Sequence, residues 1–292
     1  MLSLEGKSAF ITGGANGIGF AMAEAFVQQG MHVVITDIDA AALEQAAAAL
    51  RGSNTQIITK TLDVTDRDAY RLIADEVEQE IGPIHVLCNN AGVYRGGSLD
   101  AVTYADWDWV MGVNVGGVVN GIQTWVQRMK AHGEGGHIVN TASMAGLTTS
   151  PGLGVYNASK FAVVGLSEAL RQDLEEANIG VSVLCPGMVK TQILDSERTR
   201  PVAFDSLDEE AETAARAHSE IMHLAMNTGI EASEVAACVV AGIKANALYL
   251  LPHPELKDPT AERTQHILDA FGEPDPERVA AQQQFLADLL PE

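Results

Sequence analysis

Tyr156 and Lys160 stand four residues apart in Tyr-Asn-Ala-Ser-Lys, and Ser143 lies thirteen residues upstream. On a helix, residues i and i+4 share one face, so the phenol and the ammonium point into the same space. A neighbouring ammonium favours phenolate and lowers a tyrosine pKa from its ordinary value of about 10. A tyrosine tuned in this way exchanges a proton with an alcohol or ketone oxygen near neutral pH. Alone, such a pair is common on helices as a half-buried ring beside a solvated lysine. The chemistry needs a redox cofactor next to it.

The elements that must position the pair follow from hydropathy patterning. Strands are expected over residues 7–12, 32–37, 56–62, 84–89, 137–142, 180–185 and 248–251. Helices are expected over 17–29, 40–50, 66–81, 155–177 and 231–246, with 104–131 holding one long helix and room for a short one before it. This βαβ repetition predicts an α/β fold, a single doubly wound parallel-sheet (Rossmann) domain with helices on both faces. Continuous apolar strands such as Val-Ser-Val-Leu-Cys fit burial on both sheet faces. The domain is expected over 1–252. Residues 188–229 are too long for a simple connection and read as a substrate lid. Residues 253–292 read as a helical extension packed on the same domain, with helices near 259–271 and 275–290.

Thr12-Gly-Gly-Ala-Asn-Gly-Ile-Gly19 follows the first strand and opens the first helix. Gly13 permits the tight turn, Gly17 lets the backbone approach a pyrophosphate, and Gly19 lets helix and strand pack closely. Asn16 and Ile18 complete the turn, and the helix N-terminus offers free N–H groups to the phosphates. Asp37 ends the second strand, with Ile38 beside it, and its carboxylate suits the ribose hydroxyls of an adenosine. That carboxylate would repel a 2′-phosphate, and Thr-Asp-Ile-Asp-Ala holds no cation to receive one, which points to NAD rather than NADP. Asp39 is better placed than Asp37 to cap the next helix. Asp63 and Val64 follow the third strand, where they could meet the adenine, and Asn90, Ala91 and Gly92 follow the fourth. Ligands of open parallel sheets bind at the carboxyl ends of the strands.

With these motifs in view, residues 5–252 resemble the short-chain dehydrogenase/reductases, in the group with a Thr-Gly-x-x-x-Gly-Ile-Gly turn. The resemblance rests on that turn, Asp63-Val64, Asn89-Asn-Ala-Gly92, Asn114 in Gly-Val-Asn-Val, Ser143, Tyr156-Asn-Ala-Ser-Lys160 and Pro186-Gly-Met-Val-Lys-Thr191, with no departure at a motif position. It implies that Tyr156 is the general acid/base and that Ser143 holds the substrate oxygen. Lys160 would bind the nicotinamide ribose and lower the Tyr156 pKa, while Asn114 supports a water that relays protons through Lys160. The 186–191 loop, with Pro186, Gly187, Val189 and Thr191, would hold the carboxamide side of the nicotinamide. The resemblance also implies a homodimer or homotetramer. A narrower likeness is carried by residues 103–115, the long lid and Asn246-Ala-Leu-Tyr-Leu-Leu-Pro-His-Pro-Glu255. It is to a longer subgroup that includes the Cα-dehydrogenases of β-aryl ether breakdown, which oxidise a benzylic alcohol to an aryl ketone with NAD.

The expected pocket wall is apolar: Val93, Tyr94, Met144, Leu153, Met188, Ile193 and Leu194. Such a wall suits a bulky or aromatic alcohol. A 3-oxoacyl, hydroxyacyl or hydroxysteroid-type reductase is the second reading, but a phosphopantetheine carrier calls for basic residues and the lid is acidic. A non-catalytic nucleotide sensor is the third, and it has no need of Ser143, Tyr156 and Lys160. The formal net charge of −21 over 292 residues argues against nucleic acid and anionic membranes as partners. Eight histidines and three cysteines show no metal-ligand spacing, so no metal site is expected. The unpaired cysteine count and the lack of a secretory leader or long apolar run point to a cytoplasmic protein.

Overall fold

The computed structural model describes residues 3–52, 54–204 and 209–289. The chain divides into two compact units, Met1–Pro254 and Glu255–Glu292. Among the described residues the first holds seven strands: β1 (Ser8–Thr12), β2 (His32–Asp37), β3 (Ile57–Thr61), β4 (Val86–Asn89), β5 (Gly136–Thr141), β6 (Ile179–Leu184) and β7 (Tyr249–Leu250). All pair in parallel in the order β3-β2-β1-β4-β5-β6-β7. The order reverses between β1 and β4, which is where a ligand crevice opens in a doubly wound sheet.

Alternate strand residues face opposite layers. Ala9, Ile11, Val33, Ile35, Val86 and Cys88 join a core with α1 (Gly17–Gln28), α2 (Ala40–Ala49) and α8 (Ala232–Ala245). Phe10 faces the other way, 5.0 Å from Trp125 and 5.9 Å from Tyr70 between ring centroids. Tyr70 and Trp125 belong to α3 (Arg67–Ile81) and α5 (Gly117–His132). Trp109 and Trp125 are buried packing residues.

The expected long helix is divided. α4 (Tyr104–Met111) and α5 flank a π-helical turn, Gly112–Gly116, that contains Asn114. Such turns inside helices are frequent at functional sites. α6 (Gly154–Asp173) carries Tyr156 and Lys160. The segment expected to form a lid is not all loop: 3₁₀ turns at Ile193–Thr199 and Val202–Phe204 precede α7 (Glu209–Met226). Residues 205–208 of the lid lie outside the described residues. In the second unit, α9 (Lys257–Asp269) and α10 (Pro276–Leu289) match the two helices expected there. Among the described residues no helix is long and apolar enough to cross a membrane.

Candidate active site

α2, α3 and α4 are capped by the side chains of Asp39, Asp66 and Thr103. α1 differs. Its N-cap Asn16 is extended, gives no side-chain cap, and no acidic residue lies in the first turn. The first-turn N–H groups and the positive dipole end of α1 are therefore left for an anion. A Cβ at Gly19 would collide with the Gly13 carbonyl oxygen, so only glycine lets α1 close onto the end of β1. A Cβ at Gly17 would stand 3.1 Å from Thr191 Cγ2, which brings the 186–191 loop over the same turn. Ile18 packs against the core beneath. This cradle fits the pyrophosphate of a dinucleotide.

Asp39 caps α2 by accepting the Ala42 N–H at 3.0 Å, which leaves Asp37 for another task. The Asp37 carboxylate accepts Ala15 N–H at 3.3 Å and Asp39 N–H at 3.1 Å, and stays half-buried at the end of β2. Ile38 beside it is 45 % exposed. Asp63 turns back on Thr65, accepting its N–H at 2.9 Å and its hydroxyl at 2.7 Å. Val64 is buried against Gly117.

Asn90 acts as a brace between strand ends. Its amide donates to the carbonyls of Thr12 and Gly13, both at 3.1 Å, and accepts the Thr141 hydroxyl at 3.3 Å. The Thr12 hydroxyl in turn accepts Asn90 and Ala91 N–H, each at 3.0 Å. Thr12 thus knits β1 to the loop after β4, a role its place beside the glycine turn did not announce. The Gly92 backbone lies against the Asn114 amide oxygen and the Lys160 ammonium.

Asn114 makes three hydrogen bonds: it accepts Val93 N–H at 2.8 Å and donates to Val93 O and Ser159 Oγ, both at 3.0 Å. The Ser159 hydroxyl donates to the Tyr156 carbonyl at 2.8 Å, tying the π turn to α6. Ser143, at the end of β5, accepts Ala145 N–H at 3.1 Å and donates to Pro186 O at 3.3 Å. Lys160 is buried, donates to Thr141 O at 3.0 Å, and holds its Nζ 5.4 Å from the centre of the Tyr156 ring. The electrostatics differ from the sequence expectation. Burial pushes the Tyr156 phenol up to about 12, and the neighbouring Ser143 hydroxyl pulls it back only in part. Burial also lowers Lys160 to about 8. Desolvation penalises both charged forms and sets the direction of both shifts.

Of the residues expected to line the pocket, Tyr94, Leu153, Met188, Ile193 and Leu194 come together around Tyr156. Met222 and Met226, from α7, join them. The Tyr94 ring meets Tyr156 edge-on at 5.4 Å. Two expected wall residues do not join this group. Val93 packs instead with Trp109, Val110 and Val155, because consecutive residues of an extended stretch face opposite ways, and Met144 is buried beneath the 186–191 loop, donating its N–H to Pro186 O at 2.9 Å.

A buried ion cluster fixes this wall from behind. Arg95 Nε lies 2.8 Å from Asp106 Oδ1, and its Nη1 lies 2.9 Å from Glu197 Oε1. Arg200 Nη1 reaches the same Asp106 oxygen at 2.9 Å, while its guanidinium stacks on Trp109. Burial alone would raise the Asp106 pKa. The Thr103 N–H and hydroxyl, with Arg95 and Arg200, more than offset this and hold it below the ordinary value. Ser196 of the lid accepts Tyr94 N–H at 3.1 Å. Among the described residues one group could offer several metal ligands: His85, His132 and Glu134. It flanks the start of β4, and Lys7 Nζ stands 2.6 Å from Glu134 and 3.2 Å from His85, where a cation would sit.

The model of the short-chain dehydrogenases matches residues 7–201, and the chain belongs to that family. A C alpha-dehydrogenase from Sphingobium sp. (strain NBRC 103272 / SYK-6) is 40% identical over 282 residues, 95% of this chain and 91% of that protein. A short-chain dehydrogenase/reductase from Burkholderia phymatum, solved in complex with NAD, superposes with a TM-score of 0.90 at 38% identity, covering 94% of this chain and 99% of that one. The apo form of LigD from Sphingobium sp. strain SYK-6 gives 0.77 at 36% identity, covering 93% and 100%.

Proposed function

We propose that the chain is an NAD-dependent dehydrogenase interconverting a bulky secondary alcohol, aromatic and of the benzylic kind, with its ketone. The observation that carries this reading is the setting of Tyr156 in a collar of Tyr94, Leu153, Leu194 and the methionines 188, 222 and 226. Flat rings pack well on such a surface, and thioethers add favourable contacts with aromatic faces. The nearby cations are occupied: Arg95 and Arg200 by Asp106 and Glu197, Lys190 by Glu231 at 2.5 Å. This disfavours a carrier-bound acyl or other anionic substrate. The C alpha-dehydrogenase relative supports the benzylic assignment.

Bound NAD supplies the hydride acceptor. Tyr156 takes the hydroxyl proton during oxidation and returns it during reduction. Ser143 holds the substrate oxygen, Lys160 meets the nicotinamide ribose, and Asn114 keeps a proton path to Lys160. An ammonium near the phenolate and a hydroxyl on the substrate oxygen both favour the charge that develops there. Asp37 selects NAD. An NAD-reduction screen across benzylic, alicyclic, steroid and hydroxyacyl alcohols tests the substrate, with benzylic alcohols expected to turn over fastest. A hydroxyacyl or steroid preference would replace this reading. Direct titration should show tighter NADH than NADPH; equal affinities would remove Asp37 from the selection. Family membership supports a homodimer or homotetramer, which light scattering tests. The free thiols of Cys88, Cys185 and Cys238 support a reducing, cytoplasmic location.

A further inference from the structure

His253 follows β7 and is 5 % exposed. Its Nδ1 stands 3.0 Å from Gly187 N, and its Nε2 stands 3.0 Å from Met188 O. A backbone N–H can only donate and a carbonyl can only accept. The ring is therefore neutral, with its proton on Nε2, and it bridges two consecutive residues of the loop after β6.

That loop is where several demands meet. Pro186 O accepts both the Ser143 hydroxyl at 3.3 Å and Met144 N–H at 2.9 Å. Met188 O accepts a second bond, from Ile230 N–H at 3.1 Å, and Lys190 N–H returns to Ile230 O at 3.0 Å. Val189 and Ile230 thus form a bridge that closes the two stems of the lid. β6 and β7 run side by side to this point, with Cys185 N–H on Leu250 O at 2.9 Å. His253 is the side chain through which the edge strand grips the loop beyond.

We propose that His253 is a positioning residue for the nicotinamide end of the site: it acts through the Gly187 and Met188 backbone and sets both the 186–191 loop and the lid stem. This rests on the reading above that the 186–191 loop meets the nicotinamide. Removing the two bonds would loosen the loop at Gly187 and Met188, while the Val189–Ile230 bridge keeps Thr191 over the α1 cradle and Asp37 is untouched. The loss should therefore fall on ligands that carry a nicotinamide and spare those that lack one.

The test uses the full chain and two direct titrations, NADH and ADP-ribose, the second lacking the nicotinamide. His253→Phe keeps a flat ring of similar size and removes both bonds. NADH Kd is expected to rise about tenfold, the size of one or two lost hydrogen bonds, with ADP-ribose unchanged. KM for NAD should rise by a similar factor, with a smaller change in kcat. His253→Gln, whose amide offers one acceptor and one donor, should recover most of the NADH affinity. If the Phe variant fails to fold, His253→Asn, too short to span both partners, should show the same selective loss. An unchanged NADH Kd, or equal losses for NADH and ADP-ribose, overturns the inference. Wild-type protein that binds ADP-ribose but not NADH would instead overturn the reading of the loop on which it rests.

Discussion

The strand-end loops that form the floor of the site are tied down mostly by backbone groups and neutral side chains, whereas the cover is held by charge at Asp195, Glu197, Arg198, Arg200 and His223. On the floor, Asn90, Thr12, Asn114 and His253 bond mostly to peptide groups within hydrogen-bond range. In the cover, Arg200 and Glu197 join Arg95 and Asp106, while Arg198 lies 3.5 Å from Asp39 and His223 lies 3.4 Å from Asp195. Backbone bonds hold one geometry at little desolvation cost. Buried ion pairs are weak sources of stability but penalise every arrangement that breaks them. A floor that must present a cofactor in one pose suits the first device. A cover that closes over a substrate and releases it, as the proposed function requires, suits the second.

The largest effect should come from a change that leaves both regions intact. Tyr156→Phe keeps the ring in its collar and deletes only the hydroxyl. Turnover should fall on the order of 10³-fold, about 4 kcal/mol of barrier, with NADH affinity and Tm unchanged. Turnover near the wild-type rate would end the role of Tyr156 and with it the claim that chemistry belongs to the floor.

Asp106→Asn tests the cover. It leaves Arg95 and Arg200, 3% and 4% exposed by residue and side chain, around a neutral amide. Unfolding free energy should fall by about 3 kcal/mol, because two buried guanidiniums lose their shared counter-ion. KM for the alcohol should rise while ADP-ribose affinity stays constant. A matching loss of ADP-ribose binding would show that floor and cover are one unit.

The same division explains what could be read from the chain. The floor was legible because backbone geometry demands particular residues in short stretches: glycine where α1 meets β1, an acid at the end of β2, small residues after β4. Tyr156 and Lys160 were legible because helical spacing puts them on one face. Spacing says nothing of depth, so the burial that raises Tyr156 and lowers Lys160 could not be anticipated. The ion cluster was hidden for a different reason. Tyr94 meets Ser196, and Arg95 meets Glu197, across 102 positions, and no local pattern marks such partners. α7 likewise read as part of a long lid, since Met222 and Met226 gain their meaning only from the wall they complete. His253 stood in a recognisable run of residues, yet its partners lie 65 and 66 positions earlier.

The smallest effect sharpens the contrast through pH. His137, on β5 within the floor's sheet, is 2% exposed, and its Nε2 meets the Ser182 hydroxyl at 2.7 Å. Since Ser182 donates onward to Ala247 O, it accepts from His137, which places a proton on Nε2. Burial, with Arg171 adding to it, lowers the His137 pKa from 6.5 to about 4. Above the unfolded value neither state binds the proton, and the stability is fully present. As pH falls toward the folded value, the unfolded chain takes up a proton that the folded chain refuses, so stability is lost. Between pH 7 and 5 this one group should account for about 2 kcal/mol of lost stability. Urea unfolding at the two pH values, in wild type and in His137→Gln, isolates it, because other groups titrate alike in both. The variant should lose about 2 kcal/mol less over the interval. Equal losses would mean that the buried histidine relaxes on protonation, and that the sheet under the floor is less rigid than its neutral hydrogen bonds imply.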